Sequence, residues 1–339
     1  IDQNDLIHIA YHSRYVTQNV SAIENGWQFK ELNDWDIRNF AMAVDDERTI
    51  HFAYTGCGSD GIRYKSLHYE DVDWGGGDEV YREHSGSSIN PQYKHLSIAV
   101  NSTNVPSISF MVPSELSYKI AVNTGHHWNG ETTWDVETIR SSPNGMSDQN
   151  YIRCECLHFD SNDRPHVAYL TGLEGYTSHG LVHAFLNNQS QWQEEAVYFV
   201  NPNVPRAYDM EMGPNDQLHF AVTRNYEYDE LLYIAGNESG YLVESVYQST
   251  TIPAEPFAEE NHSESIWWPD IHVPDFGAPK ITHHRIQSEN HSVTRKSFIE
   301  AASDLNTPTP SFSIIDRLEY RGQIDAHGIK ESGGKEWDI

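Results

Sequence analysis

The segment CLHFDSNDRPHVAYLT, residues 156–171, decides the fold. Apolar and polar residues alternate at both of its ends, with the period of two that is typical of half-buried β-strands. Between them, DSNDRP (160–165) gathers turn-forming residues. The segment therefore predicts an antiparallel β-hairpin closed by a tight polar turn.

The second strand of this hairpin recurs along the chain. Its variants are LIHIAY (6–11), TIHFAY (49–54), VPSISFMV (105–112), QLHFAVTR (217–224) and APKITHHR (278–285). Successive copies lie roughly 40 to 60 residues apart, and most follow one alternating segment and precede two more. Four antiparallel strands per repeat predict an all-β fold, a β-propeller of four-stranded blades, with strands A to D from the axis outward. The period of two excludes a helical solenoid.

The repeats also bound the number of blades. Five copies have a complete A–B hairpin, and the first has a B strand without an A strand, which favours six blades. Seven blades are the alternative, because residues 286–339 align poorly with the repeat. We expect one domain over residues 1–339, with QIDAHGIKESGGK (323–335) supplying the missing A strand. Such closure would remove exposed sheet edges.

Charge limits the partners. The 339 residues carry 50 acidic against 22 basic side chains, a formal net charge of −28. This surface argues against nucleic acid, which requires clusters of Lys and Arg, and against an anionic membrane surface. No apolar run is long enough to span a bilayer. The start at Ile1 fits a cytosolic protein or a mature exported one; we expect a secreted or periplasmic monomer.

Basic and aromatic residues gather where A strands begin and B strands end, positions that meet at the mouth of a propeller. They are His12, Arg14, His179, Arg206, Tyr208, Arg224, Tyr226, Trp268, His283, His284 and Arg285. Arginine forks bind carboxylates or sulfates, and aromatic rings stack on sugars. The pattern favours a cleft for an acidic polysaccharide. The alternative is a set of rim residues paired with surplus carboxylates.

Two other patterns have a structural and a functional interpretation. The first position of the recurring strand is often histidine, namely His8, His51, His166 and His219, and we expect these to be structural and bonded to a neighbouring turn. Cys154, Cys156 and His158 share one side of a strand, so they are either zinc ligands or a buried pair of thiols beside a histidine. Polar A–B turns would suit Ca²⁺, although turn chemistry alone accounts for them.

The blade pattern resembles secreted bacterial propeller repeats, as DSNDRPHVAY (160–169), HYEDVDW (68–74) and TTWDVETI (132–139) show. Among propeller enzymes it is similar to the ulvan lyases, which use His and Tyr as base and acid and an Arg against the uronate carboxylate. Tyr208 and Arg224 match the Tyr-to-Arg arrangement of that family in type and spacing. The resemblance implies a polysaccharide lyase with His179, Tyr208 and Arg224 as catalytic residues.

Such a lyase performs β-elimination at a uronate. The C5 proton is acidic only when the carboxylate charge is neutralised, here by Arg224, so that no cofactor is required. His179 would be the base and Tyr208 the acid, or Tyr208 the base as tyrosinate. A glycoside hydrolase using Glu174, Glu227 or Asp229 is one alternative. A non-catalytic carbohydrate-binding propeller is the other, although the mouth residues differ between blades and favour a single site.

Overall fold

The structure is a computed structural model whose described residues are almost entirely β-strand. It describes residues 8–11, 14–18, 27–31, 37–56, 61–68, 78–82, 94–112, 117–126, 132–141, 156–172, 179–199, 205–225, 229–237, 240–248, 263–273, 279–289, 292–302, 312–325 and 328–331. One 3-10 turn, Pro214–Asp216, is the only helical element in these ranges. None of them contains a helix long and apolar enough to cross a membrane.

The described strands follow one another as a series of meanders. They are β1 (His8–Tyr11), β2 (Arg14–Gln18), β3 (Trp27–Glu31), β4 (Ile37–Val44), β5 (Thr49–Gly56), β6 (Gly61–His68), β7 (Asp78–Arg82), β8 (Lys94–Val100), β9 (Pro106–Val112), β10 (Ser117–His126), β11 (Thr132–Ser141), β12 (Leu157–Phe159), β13 (Pro165–Gly172), β14 (His179–Leu186), β15 (Trp192–Tyr198), β16 (Pro205–Met212), β17 (Leu218–Asn225), β18 (Asp229–Asn237), β19 (Gly240–Gln248), β20 (Ser263–His272), β21 (Lys280–Glu289), β22 (Ser292–Ala302), β23 (Phe312–Asp325) and β24 (Gly328–Glu331).

These strands form six antiparallel sheets within the described residues. Four sheets have four strands each, β4–β7, β8–β11, β12–β15 and β16–β19, in chain order across the sheet. The first sheet is β1–β3, and the last is β20–β24. The predicted fold class, an all-β protein of four-stranded antiparallel blades, is confirmed, as are the five A–B hairpins. Within the described residues the first sheet begins with β1, the predicted B strand, paired with β2. The number of blades in the ring stays a prediction.

The C-terminal segment that we expect to supply the missing A strand is described in part, over residues 323–325 and 328–331. Residues Gly322–Asp325 end β23 and pair with Gly328–Glu331 of β24, so 323–335 begins as a hairpin of the last sheet. The single domain, and its closure through 323–335, stay predictions.

The A–B turns repeat one hydrogen-bond pattern. Asp45, Asn101 and Asp160 each begin a turn, and the amide of each donates to the carbonyl oxygen four residues on. Their side-chain Oδ1 atoms accept from backbone amides within the turn, with N···O distances between 2.7 and 3.1 Å. The fourth turn residue has a positive φ: 67° at Arg48, 61° at Asn104 and 57° at Asp163. This Asx chemistry explains the polar turns without an ion.

The recurring histidines pack against these turns, as predicted. The Nε2 atom of His51 lies 3.1 Å from Asp45 Oδ2, and that of His166 lies 3.5 Å from Asp160 Oδ2. His219 is the exception, because Gly213 stands where the others have an acid. A Cβ atom on Gly213 would lie 2.5 Å from His219 Nε2, so the histidine fills the space of the missing side chain. The side chain of His8 is outside the described residues.

The chain divides into two compact units, residues 1–167 with 184–193 and residues 168–183 with 194–339. In the first unit a cluster including Ile62, Ile98, Ile108, Phe110 and Val112 joins β6 to β8 and β9. In the second unit a cluster of Ala221, Leu231, Tyr233, Ala235, Ile271, Val273 and Ile281 joins β17 and β18 to β20 and β21. The apolar side chains that alternate along each strand therefore hold neighbouring sheets together.

Inner strands also exchange polar contacts with the next sheet. Ser97 Oγ accepts from the amide of Leu157, and Asp209 Oδ2 accepts from the amide of Ile271 at 2.8 Å. Ser97 and Asp209 both lie four residues before the first residue of their turn, and Cys156 occupies the same repeat position. Cys156 is a buried thiol that forms no disulfide within the described residues, and it is 1% exposed. The repeat thus accounts for the burial of Cys156.

Candidate active site

Arg224 lies at the end of β17, where its guanidinium is held by an acidic residue of the next strand. The register places Arg224 directly opposite Glu230 at the start of β18. Nε of Arg224 donates to Glu230 Oε2 at 2.6 Å, and Nη2 of Arg224 contacts the same oxygen. The Glu230 side chain is 6% exposed and that of Arg224 is 18% exposed. Arg224 is therefore half-buried, with its cation compensated by a buried carboxylate.

Tyr198, the last residue of β15, forms the other side of this arrangement. Nη1 of Arg224 donates a short hydrogen bond to the Tyr198 hydroxyl. The guanidinium carbon lies 5.8 Å from the centre of the Tyr198 ring, close enough for a cation–π contribution. Tyr198 is buried, at 6% exposure. Arg224, Glu230 and Tyr198 are called the arginine clamp below.

The clamp fixes both the charge and the free donors of Arg224. Burial lowers the pKa of Arg224, but the hydrogen bonds and charges of Glu230 and Tyr198 outweigh it, so the pKa lies above its ordinary value. A guanidinium has five N–H groups. Three of them point at Glu230 and Tyr198. Counted over the described residues alone, one N–H on Nη1 and one on Nη2 remain for a ligand such as a carboxylate.

The backbone of His179 lies beside the clamp. His179 begins β14, and the next residue, Gly180, packs so tightly that a Cβ atom there would lie 2.4 Å from the carbonyl oxygen of Tyr198. The same Cβ would lie 2.6 Å from the Phe199 ring. Only glycine leaves room for this approach. The structure thus brings the strand ends bearing His179, Tyr198 and Arg224 together.

Tyr208 lies in the same sheet as Arg224, on the neighbouring strand β16. The register sets Tyr208 opposite Val222, and Arg224 is opposite Pro205. The Tyr208 side chain is buried, at 3% exposure, and its hydroxyl donates to the carbonyl oxygen of Ala168 at 3.0 Å. Its catalytic role stays a prediction. That role requires the Tyr208 hydroxyl to break its hydrogen bond to the carbonyl oxygen of Ala168.

The remaining predicted substrate-binding residues are only partly described. His283 of β21 is 1% exposed, and its ring stacks on Tyr247 with centroids 6.4 Å apart. Trp268 lies on β20, and His284 and Arg285 on β21, but their side chains, like those of Arg14, His179 and Arg206, are outside the described residues, as are His12 and Tyr226 entirely. Substrate binding by these residues stays a prediction.

The zinc and calcium predictions are likewise open. Cys154 lies outside the described residues, whereas Cys156 and His158 lie within them. No group of three or more His, Cys, Asp or Glu side chains arranged to hold a metal ion is found in the part of the chain that the structure describes. A metal at Cys154, Cys156 and His158 stays a prediction.

Sequence reasoning missed Tyr198 and Glu230. The Glu230 contact had a local signal, because Arg224 and Glu230 flank a hairpin connection, and antiparallel pairing puts such residues opposite one another. Tyr198 had no such signal. It belongs to another sheet, 26 residues away in sequence, and strand periodicity does not specify which side chains of two sheets meet.

The described sheets define an all-β protein of four-stranded antiparallel blades. The fold is similar to an ulvan lyase, described as a new family of polysaccharide lyase, with a TM-score of 0.59 and 10% identity; the match covers 94% of this chain and 82% of that one. The same lyase bound to a saccharide of GlcA and sulfated Rha gives a TM-score of 0.58 at the same identity and coverage.

A looser likeness extends to a hydrolase. An exo-1,5-α-L-arabinanase from a bovine ruminal metagenomic library matches with a TM-score of 0.44 and 13% identity, over 82% of this chain and 97% of that one. This value is too low to support a functional argument. No protein-family model matches the chain, and no curated protein matches it in sequence. At these identities the comparisons establish the fold and leave the reaction to be argued from the site.

Proposed function

We propose that the protein is a polysaccharide lyase that cleaves an acidic, uronate-containing polysaccharide such as ulvan by β-elimination. The observation that carries the proposal is the arginine clamp. It holds a permanent cation at the end of a B strand with two N–H groups left for a carboxylate. The fold shared with ulvan lyases supports the same substrate class.

Arg224 acts on the uronate carboxylate in this proposal. Removing the C5 proton places further negative charge on that carboxylate, so a fixed guanidinium stabilises the transition state more than the ground state. Because the environment raises the pKa of Arg224, it stays charged at any working pH. The ionisation of Arg224 therefore does not limit the reaction on the alkaline side.

The proton transfers fall to His179 and Tyr208. His179 begins β14, and the next residue, Gly180, packs against the carbonyl oxygen of Tyr198, which supports a role for His179 beside Arg224. In the proposed reaction His179 removes the C5 proton, since a neutral imidazole is a base near neutral pH. Tyr208 protonates the leaving O4 once its hydroxyl exchanges the Ala168 carbonyl for substrate. The Arg224 guanidinium supplies the positive charge that a metal ion would otherwise supply. Because the polysaccharide is extracellular, the enzyme that cleaves it is secreted or periplasmic.

The experiment compares two arginine variants on ulvan and on other uronate polysaccharides. Arg224→Ala should lower kcat/KM for elimination by about 100- to 1,000-fold, the cost of removing one donor to a developing anion. Arg164→Ala is the matched control, because Arg164 makes the same two-nitrogen contact with Asp160 Oδ2 in a turn. Elimination should survive in the control. Equal rates for Arg224→Ala and the unaltered protein would contradict the proposed site.

A further inference from the structure

Glu230 does more than neutralise Arg224, because it selects which edge of the guanidinium remains available. Nε and Nη2 lie on one edge, and both contact Oε2 of Glu230. A substrate carboxylate cannot occupy that edge while Glu230 holds it. The donors that remain are one hydrogen on each Nη atom.

Tyr198 restrains the guanidinium through its third nitrogen, Nη1. Its hydroxyl accepts from Nη1, and its ring lies 5.8 Å from the guanidinium carbon. Arginine side chains lose substantial conformational freedom when ordered. With contacts to strands β15 and β18, which flank it on two sides, the guanidinium has already lost that freedom before substrate binds.

The burial of both partners makes this orientation rigid. Tyr198 is 6% exposed, and the Glu230 side chain is also 6% exposed. A buried carboxylate that lost its cation would be strongly destabilised, so Glu230 does not release Arg224 readily. The cation is preorganised, which is the property that a group acting on developing charge requires.

We propose that Tyr198 and Glu230 are positioning residues for Arg224, aligning its two Nη atoms for a two-oxygen contact with the substrate carboxylate. This inference rests on the proposed function. It assigns to the site a preference for free uronates over their methyl esters, because an ester has lost the charge and one of the two acceptor oxygens. Neither Tyr198 nor Glu230 needs to touch the substrate for this role.

The test uses variants that keep the shape of each partner. Tyr198→Phe keeps the ring under Arg224 and removes the acceptor, and Glu230→Gln keeps the size and removes the charge. Tyr241→Phe is the matched control, since Tyr241 is another tyrosine of the same unit whose hydroxyl binds an acid, Glu195. We expect Tyr198→Phe to lower kcat by about 10- to 100-fold with a small change in KM, because the lost alignment matters most in the transition state.

A double-mutant cycle separates positioning from a merely structural role. In the Arg224→Ala background, Tyr198→Phe should change kcat by less than about threefold, because the residue it positions is gone. A structural effect would instead lower kcat by the same factor in both backgrounds. The Tyr241→Phe control should leave kcat unchanged and the pH optimum in place.

The outcomes separate a failure of this inference from a failure of the proposed lyase function. If the unaltered protein cleaves ulvan by β-elimination but Tyr198→Phe lowers kcat by the same factor with and without Arg224, the positioning role is overturned and the lyase function stands. If the unaltered protein eliminates no uronate polysaccharide, the lyase function fails and takes the positioning role with it. Equal kcat/KM on free and methyl-esterified uronate polymers would also overturn the inference.

Discussion

The arginine clamp shows what one residue requires of its neighbours to carry a buried charge. The sequence indicates Arg224 as a strand-end arginine in a chain with few basic residues. It does not indicate that Glu230 and Tyr198 would hold it. The chemistry assigned to Arg224 depends on those two contacts, because they decide how many donors remain for a ligand.

His219 permits a prediction at the scale of a single residue. Burial lowers the pKa of His219 to about 4, while His219 Nδ1 and the Tyr233 hydroxyl are 2.7 Å apart. Between about pH 4 and pH 6.5, His219 is protonated in the unfolded chain and neutral in the folded chain. The stabilising contribution is therefore present above pH 6.5 and is lost as the pH falls toward 4.

Urea unfolding measures this loss. From about pH 7 to about pH 5, His219 should remove about 2 kcal/mol from the free energy of unfolding. A His219→Asn variant lacks the titrating group, so its own loss over the same interval should be smaller by that amount. Identical pH dependence in the two proteins would show that His219 is not held neutral.

The turns illustrate how far element-scale patterns can be read from the sequence. The alternation of apolar and polar residues and the polar turn residues between the strands correctly predicted the A–B hairpins, because strand period and turn chemistry are local properties. The contact with a neighbouring turn was confirmed for His51 and His166, whereas His219 is bonded to the Tyr233 hydroxyl instead. The space beside Gly213 was not predictable, since it depends on where the His219 ring packs.

Asp45→Asn tests the turn as an element. Asn101 occupies the equivalent turn position and makes its backbone contacts with an amide side chain, so the turn itself should survive. The substitution sets an amide against the buried His51 Nε2, which should lower the free energy of unfolding by about 1–3 kcal/mol. Urea unfolding gives the value.

The matched control is Asn101→Asp. Asp45 faces His51, which lies six residues later. The residue six positions after Asn101 is Ser107, so no histidine occupies the equivalent position beside this turn. We expect a change within about 0.5 kcal/mol. Equal destabilisation by Asp45→Asn and Asn101→Asp would contradict the assignment of the cost to the His51 contact.

At the scale of the whole molecule, a protein of formal charge −28 is proposed to act on a polyanion. Protein and substrate repel one another at long range, and the attraction at Arg224 is short-range. Added salt screens the long-range repulsion more than a partly buried contact. We expect kcat/KM on ulvan to rise as ionic strength increases from about 0.01 M to about 0.15 M. A steep fall would mean that an extended basic surface binds the substrate.

The fold is the part of the whole molecule that the sequence predicts best. Six copies of one strand specify repeated antiparallel sheets, and the described sheets agree. The site is less predictable, because it is formed by strand ends from different sheets. Tyr208 shows this limit: the sequence places it near the start of an A strand, but it does not indicate that the Tyr208 hydroxyl donates to the carbonyl oxygen of Ala168 in another sheet.

Product analysis on ulvan tests the central claim most directly. The purified protein is incubated with the polysaccharide, and unsaturated uronate ends, followed by their ultraviolet absorbance, are counted against new reducing ends. β-Elimination predicts one unsaturated end for every new reducing end, with the rate lowered about 100- to 1,000-fold in Arg224→Ala and retained in Arg164→Ala. New reducing ends without unsaturated uronate would identify hydrolysis and contradict the lyase mechanism.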